Sequence, residues 1–425
     1  MTGPRRADAA QGRHLLFALA RRGAGDLRTV VLGAVALRVL AGSADPQLSD
    51  DVYRYLWEGE VVLEGASPFA FAPDDRTEPA IERARRAYPE LHASVNHRDV
   101  SAVYPPLAQA IGTGSAALCR AFDLAPETWG TRILRIVYGL ADLLVIWPLS
   151  ILLRRSRLPP TLVVAWAWSP LAAVEFAGSG HLDALGILLL LGALAAMTRE
   201  QGRDAGRADA APVTLLAAGI LAKYVPLLAL PWFARGPGSL RRVASVLALV
   251  LLGFGPVLLL RGGGAGLMQG FEQYALRWEA SSLVHRWLEG AFDLLFVADE
   301  TWTDPRRLAR GVAATAWLAF AVHTVVRVRD PAHGVGRLVG AWLVLSPTLH
   351  PWYLAWILPF LALRASAAWS WLVLVAPLLY WPLPGWQRDG IWNEPPWLWP
   401  FLALPFFGLL ARGRMVRLGP RPGSM

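Results

Sequence analysis

Ten apolar stretches, each long enough to enter or cross a lipid bilayer, constrain this chain more than any other feature. A bilayer core of about 30 Å contains no water to satisfy backbone groups, so only helices and closed barrels cross it. Long apolar runs without two-residue alternation predict helices. An all-α, polytopic membrane protein is therefore predicted, in agreement with 55% apolar residues among 425. The stretches lie near 28–44, 132–153, 159–177, 181–198, 212–234, 243–260, 309–326, 337–364, 367–383 and 396–411.

The basic residues lie in short clusters between these stretches. A net charge of +9 could suggest nucleic acid, but a nucleic-acid site gathers its charge in one patch, so no such partner is expected. Under the positive-inside rule the clusters mark cytoplasmic connections. These clusters are Arg5 to Arg28, Arg154 to Arg157, Arg199 to Arg207, Arg235 to Arg242, Arg327 to Arg337, Arg364 and Arg412 to Arg421. The connections expected on the outer face are 45–104, 177–184, 261–308, 346–353 and 384–396.

Two apolar stretches must be interrupted if successive connections are to alternate between the cytoplasmic and outer faces of the membrane. Residues 212–234 are expected to turn back near Lys223 to Pro226, and residues 337–364 are expected to turn at His350 and Pro351. Proline removes a backbone hydrogen bond from a helix. Backbone groups that lose their helical partner inside the membrane are tolerated where they line a cavity.

The first long connection is expected to contain helices outside the main bundle. Residues 104–122, which begin YPPLAQ, are predicted as a re-entrant or surface-lying helix because both ends need the same face. The chain is interpreted as a single membrane domain, 1–425, with a first outer loop at 45–131 and a second at 261–308. No cleaved signal peptide is expected at the N-terminus, which lacks a clear small-residue cleavage site.

An acid pair, Asp50 and Asp51, follows the first apolar stretch and opens the run DDVYRYLW. An ionised carboxylate can take a proton from a sugar hydroxyl, and repulsion between two carboxylates can raise the pKa of one. Arg54 follows within one helical turn and carries a guanidinium suited to phosphate. The alternative is that the acids form the N-cap and first turn of a surface helix, with Ser49 also able to cap.

Two further motifs place ionisable groups near the outer face. His181 and Asp183 lie in GSGHLDALG, where small residues leave room for a substrate; alternatively Asp183 simply begins a helix. Lys223 is the only lysine beside 40 arginines and lies inside an apolar stretch, where a charge is costly. It is a candidate for binding the phosphate of a lipid carrier, or else a lysine that snorkels to the interface.

Aromatic and polar residues in two other outer segments could hold a sugar. In SPTLHPWYLAW, Trp352 and Tyr353 could form a stacking wall with His350 nearby, although an aromatic belt at the membrane interface has the same composition. The segment ASVNHRDVSAVYPPL supplies polar side chains for sugar hydroxyls, namely Asn96, His97, Arg98, Asp99 and Tyr104.

Taken in order, these motifs resemble the GT-C superfamily of polyprenyl-phosphate-sugar-dependent glycosyltransferases. The run DDVYRYLWEGEVVLEGASPFAFAPDD is most similar to bacterial polyprenol-phosphate-mannose-dependent mannosyltransferases. The resemblance covers residues 28–365 approximately and implies a transmembrane bundle of roughly 10–13 helices. It also implies an active site facing the periplasm or cell exterior of the plasma membrane.

The resemblance further implies roles for individual residues. Asp51, rather than Asp50, matches the catalytic base, Asp183 is a second acidic element, and Lys223 marks the carrier-phosphate site. The implied reaction moves a hexose, mannose favoured, from a polyprenyl-phosphate sugar to a glycan or lipid-linked acceptor with inversion. In the mechanistic hypothesis that follows, Arg54 or His181 would assist at the leaving phosphate, and Tyr104 would contribute to substrate binding.

No cofactor is expected, and a divalent metal bridging the acids and phosphate is possible but not favoured. The lone Cys119 excludes a disulfide within the chain and a cysteine metal cluster. A transporter or flippase of lipid-linked sugars is the alternative function, since buried charges and broken helices also mark transport paths. A non-catalytic scaffold would give no reason for acids, a lysine and aromatics to converge on one face.

Overall fold

The structure is a computed structural model that describes residues 26–200, 210–295 and 304–412. The predicted uncleaved N-terminus lies outside these ranges. So do most arginines of the clusters Arg5 to Arg28, Arg199 to Arg207 and Arg412 to Arg421.

The described residues are mainly helical. The α-helices, numbered in chain order, are α1 Leu27–Gly42, α2 Asp51–Leu63, α3 Pro79–Ala87, α4 Pro89–Ser94, α5 Pro106–Ala121, α6 Thr131–Leu144, α7 Ile146–Arg155, α8 Val164–Ala167, α9 Pro170–Ala172, α10 Asp183–Glu200, α11 Ala210–Ala222, α12 Leu230–Phe233, α13 Ser239–Leu258, α14 Gln269–Arg277, α15 His285–Leu295, α16 Pro305–Arg327, α17 Pro331–Leu345, α18 Pro351–Leu354, α19 Leu358–Leu363, α20 Ala367–Val375, α21 Leu383–Asp389 and α22 Leu398–Ala411. Short 3₁₀ or π segments occupy Pro126–Gly130, Pro160–Val163, Ala173–Gly178, Val225–Ala229 and Ala376–Tyr380. Extended pairing in these ranges is limited to isolated bridges, such as Ala280 with Thr348.

Four helical segments in the described residues are long and apolar enough to cross a membrane. They are Pro126–Arg155, Ser239–Leu258, Pro305–Arg327 and Ala367–Asp389. A bent pair, Pro160–Ala167 and Pro170–Gly178, adds a fifth if it forms one span. The remaining predicted stretches fold as shorter helices, so the all-α polytopic prediction is confirmed.

The apolar stretch 159–177 is more broken than its sequence suggested. Its two halves meet at an angle of 54°. Ser169 ends the first half, since its hydroxyl accepts a hydrogen bond from Ala172 N at 3.3 Å and caps the next turn. Pro170 then starts the second half, because proline suits a first helical position but not a helix interior.

The two predicted breaks lie where the proline pattern placed them. Helix α11 ends at Ala222, and the chain folds so closely that a Cβ added to Gly219 would lie 3.1 Å from Pro226. Helix α17 ends at Leu345, and α18 begins at Pro351 after a non-helical segment.

Helix α5 corresponds to the predicted re-entrant or surface-lying helix. Its 16 residues do not qualify as a candidate span, and it packs along α2. A Cβ on Gly112 would lie 2.2 Å from the Tyr55 carbonyl oxygen, and one on Gly59 would lie 2.5 Å from the Gly112 carbonyl carbon. The two backbones therefore touch, and this contact fixes α2, which begins with Asp51.

Several of the predicted cytoplasmic connections meet at one end of the molecule, which we call the arginine end. The Arg235 guanidinium donates to the Val328 carbonyl at 2.9 Å, and Arg364 contacts His333. From this end α17 runs for 15 residues, about 22 Å at 1.5 Å per residue. It leads to residues 346–353 at the opposite end, which we call the cavity end.

Candidate active site

A cavity of about 1030 Å³ opens at the cavity end. It is large for a ligand pocket, since typical volumes are about 300–1,000 Å³. Four of the five segments expected on the outer face supply its walls: 45–104, 261–308, 346–353 and 384–396. The fifth, 177–184, packs behind the wall and places His181 and Asp183 there, both buried.

The acid pair lies on the cavity wall and is joined by one amide. Asn96 Nδ2 donates to Asp50 Oδ1 at 2.7 Å and to Asp51 Oδ1 at 2.8 Å. The Tyr104 hydroxyl donates to Asp51 Oδ2 at 3.1 Å. Ser49 Oγ accepts from Asp51 N at 3.3 Å, whereas the Asp50 side chain makes no cap hydrogen bond. The carboxylates therefore face the cavity wall while Ser49 caps the helix.

The two carboxyls differ in acidity. Burial, reinforced by the adjacent Asp51 charge, raises the pKa of Asp50 to about 6. Burial also opposes ionisation of Asp51, but His181, the Asn96 amide, Lys223 and the Tyr104 hydroxyl together hold its pKa below the usual value. At neutral pH Asp51 is therefore an ionised proton acceptor beside a weaker acid.

Arg54, expected to bind substrate, is occupied by the protein itself. Its guanidinium donates to Glu58 at 3.0 Å and to the carbonyls of Asn96 and His97 at 3.2 and 3.1 Å. It also donates to the carbonyls of Val100 and Ser101. These contacts use all five N–H groups of an arginine. Arg54 thus fastens the loop that carries Asn96, and its donors are not available to a substrate phosphate.

His181 lies behind Asp51 in a stack of rings. Its Nδ1 is 3.8 Å from Asp51 Oδ2, and its Nε2 is 3.4 Å from Glu175 Oε2. Trp352 stacks on His181 at 4.1 Å between ring centroids and on His350 at 4.3 Å. Trp352 therefore packs against both imidazole rings and also lines the cavity.

Lys223 forms a buried pair with the second predicted acid. Its Nζ is 3.0 Å from Asp183 Oδ2, and the Trp356 indole donates to Asp183 Oδ1 at 2.6 Å. The amine also lies 4.9 Å from the ring centroid of Tyr104 and 5.9 Å from that of Tyr353. Both rings line the cavity, so the lysine and Asp183 are in the layer behind the wall.

Sequence reasoning missed several aromatic residues of the cavity wall. They come from the outer segments 261–308 and 384–396 and are Tyr274, Trp278, Trp386 and Trp392. His97 packs edge-on against Trp278 at 4.5 Å. The detectable signal was the tryptophan content of connections already expected on the outer face, since aromatic faces bind sugar rings.

One group among the described residues has metal-ligand geometry. Ligand atoms of Glu279, His285 and Glu289 lie within 4.8 Å of one another. Arg310 contacts Glu279 at 2.7 Å, and Arg306 contacts Glu289 at 3.0 Å. The arginines already balance both carboxylates, so this arrangement does not require a cation.

An apolar helical bundle that exposes an acid pair and aromatic rings in one large cavity fits an integral membrane glycosyltransferase. The chain belongs to the alpha-(1→6)-mannopyranosyltransferase family, whose N-terminal domain model matches residues 18–235, just over half of the chain. This membership confirms the predicted mannosyltransferase resemblance. Among curated proteins, none matches the chain.

Proposed function

We propose that this membrane mannosyltransferase moves a mannosyl residue from a polyprenyl-phosphate donor to a glycan or lipid-linked acceptor, with inversion and with Asp51 as the base. The observation that carries the proposal is the Asp51 carboxylate, held by Asn96 and Tyr104 on the wall of the cavity. The active site is proposed to face the outside of the plasma membrane.

The reaction is a single displacement. The acceptor hydroxyl oxygen forms a bond to the sugar C1 while its proton passes to Asp51. The bond from C1 to the phosphate oxygen breaks, and its electron pair leaves with the polyprenyl phosphate. Since the family name specifies an alpha-(1→6) linkage, inversion requires a β-linked donor and an acceptor with a free 6-hydroxyl group.

The leaving phosphate needs a cation in contact with the cavity. Arg98 lines the cavity, its side chain is 42% exposed, and its contact with Asp74 is 3.8 Å. We assign the phosphate contact to Arg98, because Arg54 is occupied and Lys223 lies behind Tyr104. Lys223 would act as a positioning residue that keeps Asp51 ionised. Burial lowers the pKa of His181 to about 4, so His181 would support Asp51 as a neutral ring.

The transport alternative has less support from the geometry. A transport path needs polar groups near the middle of the membrane that connect both faces. The acid pair, Asn96 and Tyr104 instead gather at the cavity end, while the arginine end is separated from them by the length of α17.

The test is a transfer assay with purified protein in liposomes, a β-linked polyprenyl-phosphate mannose donor and α-mannoside acceptors. Asp51→Asn is expected to lower the rate by about two to four decades, the usual contribution of a general base. Asp99→Asn is the matched control, since Asp99 is an exposed acid of the same loop and, unlike Asn96, His97 and Arg98, does not line the cavity. Product analysis should show mannose joined at C6 in the α configuration.

Other outcomes would change the assignment. A wild-type rate in Asp51→Asn with a large loss in Asp50→Asn would move the base to Asp50. Arg98→Gln should raise the KM for the donor more than Lys223→Met does if Arg98 contacts the phosphate, and a larger rise in KM for Lys223→Met would return that role to Lys223. A folded protein that releases no polyprenyl phosphate from any donor would contradict the glycosyltransferase mechanism.

A further inference from the structure

A second cavity of about 730 Å³ runs along α17 from the arginine end and shares no lining residue with the first cavity. It is bounded by helices α16, α17, α19, α20 and α22. The walls are mainly apolar and include Phe320, Val344, Phe360, Trp369 and Phe406. Gly336 and Gly340 on α17 let two aromatic rings of the wall pack against that helix, since an added Cβ would lie 2.8 Å from Phe360 and 2.9 Å from Trp369.

The groove is long enough to cover the chain of a lipid in one leaflet of a bilayer. Its wall on α17 runs from Ala332 to Leu345. At 1.5 Å per residue this distance is about 20 Å, compared with a half-thickness of about 15 Å for the hydrocarbon core. A single acyl chain entering at the arginine end would therefore be covered along its length.

The mouth of the groove carries positive charge. Arg337 lines it, and the Arg337 guanidinium lies 5.0 Å from the Phe320 ring centroid. The Arg337 Nε is buried and has no hydrogen-bond partner among the described residues. Arg364 and His333 lie at the same mouth, while Asp330 is engaged as the cap of α17 and accepts from His333 N at 2.6 Å.

We propose that this groove binds one anionic phospholipid, with the phosphate at Arg337 and Arg364 and an acyl chain along α17. A buried guanidinium N–H without a partner calls for an acceptor, and a phosphate oxygen forms strong charge-assisted hydrogen bonds with arginine. A zwitterionic lipid offers the same chain but adds a cation to an already cationic mouth. The site is separate from the cavity that would bind the sugar donor.

The test is lipid binding to delipidated protein in a neutral detergent, with native mass spectrometry and thermal unfolding as readouts. Phosphatidylglycerol is expected to bind at least about tenfold more tightly than phosphatidylcholine of the same chain length. Arg337→Gln should remove most of this preference, whereas Arg241→Gln, an exposed arginine on α13 outside the groove, should keep it. Ala341→Phe should fill the groove and weaken both lipids.

The controls separate a lipid site from a phosphate site. Glycerol phosphate, which has no acyl chain, should neither bind tightly nor displace phosphatidylglycerol; tight binding would mean that the groove contributes nothing. Equal affinity for the two lipids, or an unchanged preference in folded Arg337→Gln protein, would overturn the proposal. Neither readout involves sugar transfer, so the result stands apart from the proposed reaction.

Discussion

Asn96 joins the two neighbouring acids, because its amide donates a hydrogen bond to each carboxylate. Asn96 lies 45 residues after Asp51 in the sequence. Sequence reasoning named Asn96, Tyr104 and Asp51 but could not pair them, since the contact depends on how the loop returns to α2. Arg54 shows the same limit. The position of Arg54 beside the acids suggested a contact with the substrate. The backbone carbonyls that accept its hydrogen bonds cannot be identified from the sequence, since every residue has a carbonyl group.

The acidities of the pair predict a pH dependence for transfer. Below about pH 6 Asp50 takes up a proton, and the loss of its negative charge makes Asp51 a weaker base. The rate of transfer should therefore fall as the pH drops through about 6. Asp50→Asn removes this group, so the acid limb of its pH profile should move to lower pH, with initial rates as the measurement.

A control distinguishes this effect from acid unfolding. A carboxyl with a raised folded pKa binds its proton more tightly in the folded state, so protonation of Asp50 stabilises the fold as the pH falls from about 6 towards 4. The thermal midpoint of the wild type, compared with that of Asp50→Asn, should therefore not drop where activity is lost. An acid limb that is identical in both proteins would contradict the assignment to Asp50.

The helical elements were largely predictable because their signal is local. The length of the apolar stretches predicts the helices, and the prolines predict the breaks after Ala222 and before Pro351. The bend at Ser169 and Pro170 was missed, although a Ser-Pro pair is a known helix boundary. The close pairing of α2 with α5 was not predictable, since two glycines meet across about fifty residues of sequence.

This pairing gives a prediction with its control in the same helix. Gly112→Ala should destabilise the protein by roughly 1–3 kcal/mol, because its Cβ would clash with the Tyr55 carbonyl oxygen and force α2 away from α5. Gly114→Ala meets no atom within 4 Å and should stabilise α5 by up to about 1 kcal/mol. Thermal unfolding in detergent measures both, and the transfer rate should fall only in Gly112→Ala because α2 positions Asp51.

The opposite result has a clear meaning. If Gly112→Ala is as stable and active as Gly114→Ala, the helices can separate without cost, and the position of Asp51 does not depend on their contact.

The whole molecule has two chemically different ends. Arginines meet backbone carbonyls at one end, while acids and aromatic rings surround the cavity at the other. The sequence predicted this division from charge clusters alone, because the positive-inside rule acts on each connection separately. It could not predict that four outer segments share one cavity, since that depends on how the whole bundle packs.

The division predicts the orientation of the protein in the membrane. In a Cys119→Ser background, which removes the buried native thiol, Asp99→Cys would mark the cavity end and Arg329→Cys the arginine end. A thiol reagent that does not cross membranes should label Asp99→Cys in intact cells and Arg329→Cys only after permeabilisation. This pattern is expected because cytoplasmic connections retain arginine during insertion. The reverse pattern, in variants that keep transfer activity, would place the acid pair on the cytoplasmic side and require a donor presented in the inner leaflet.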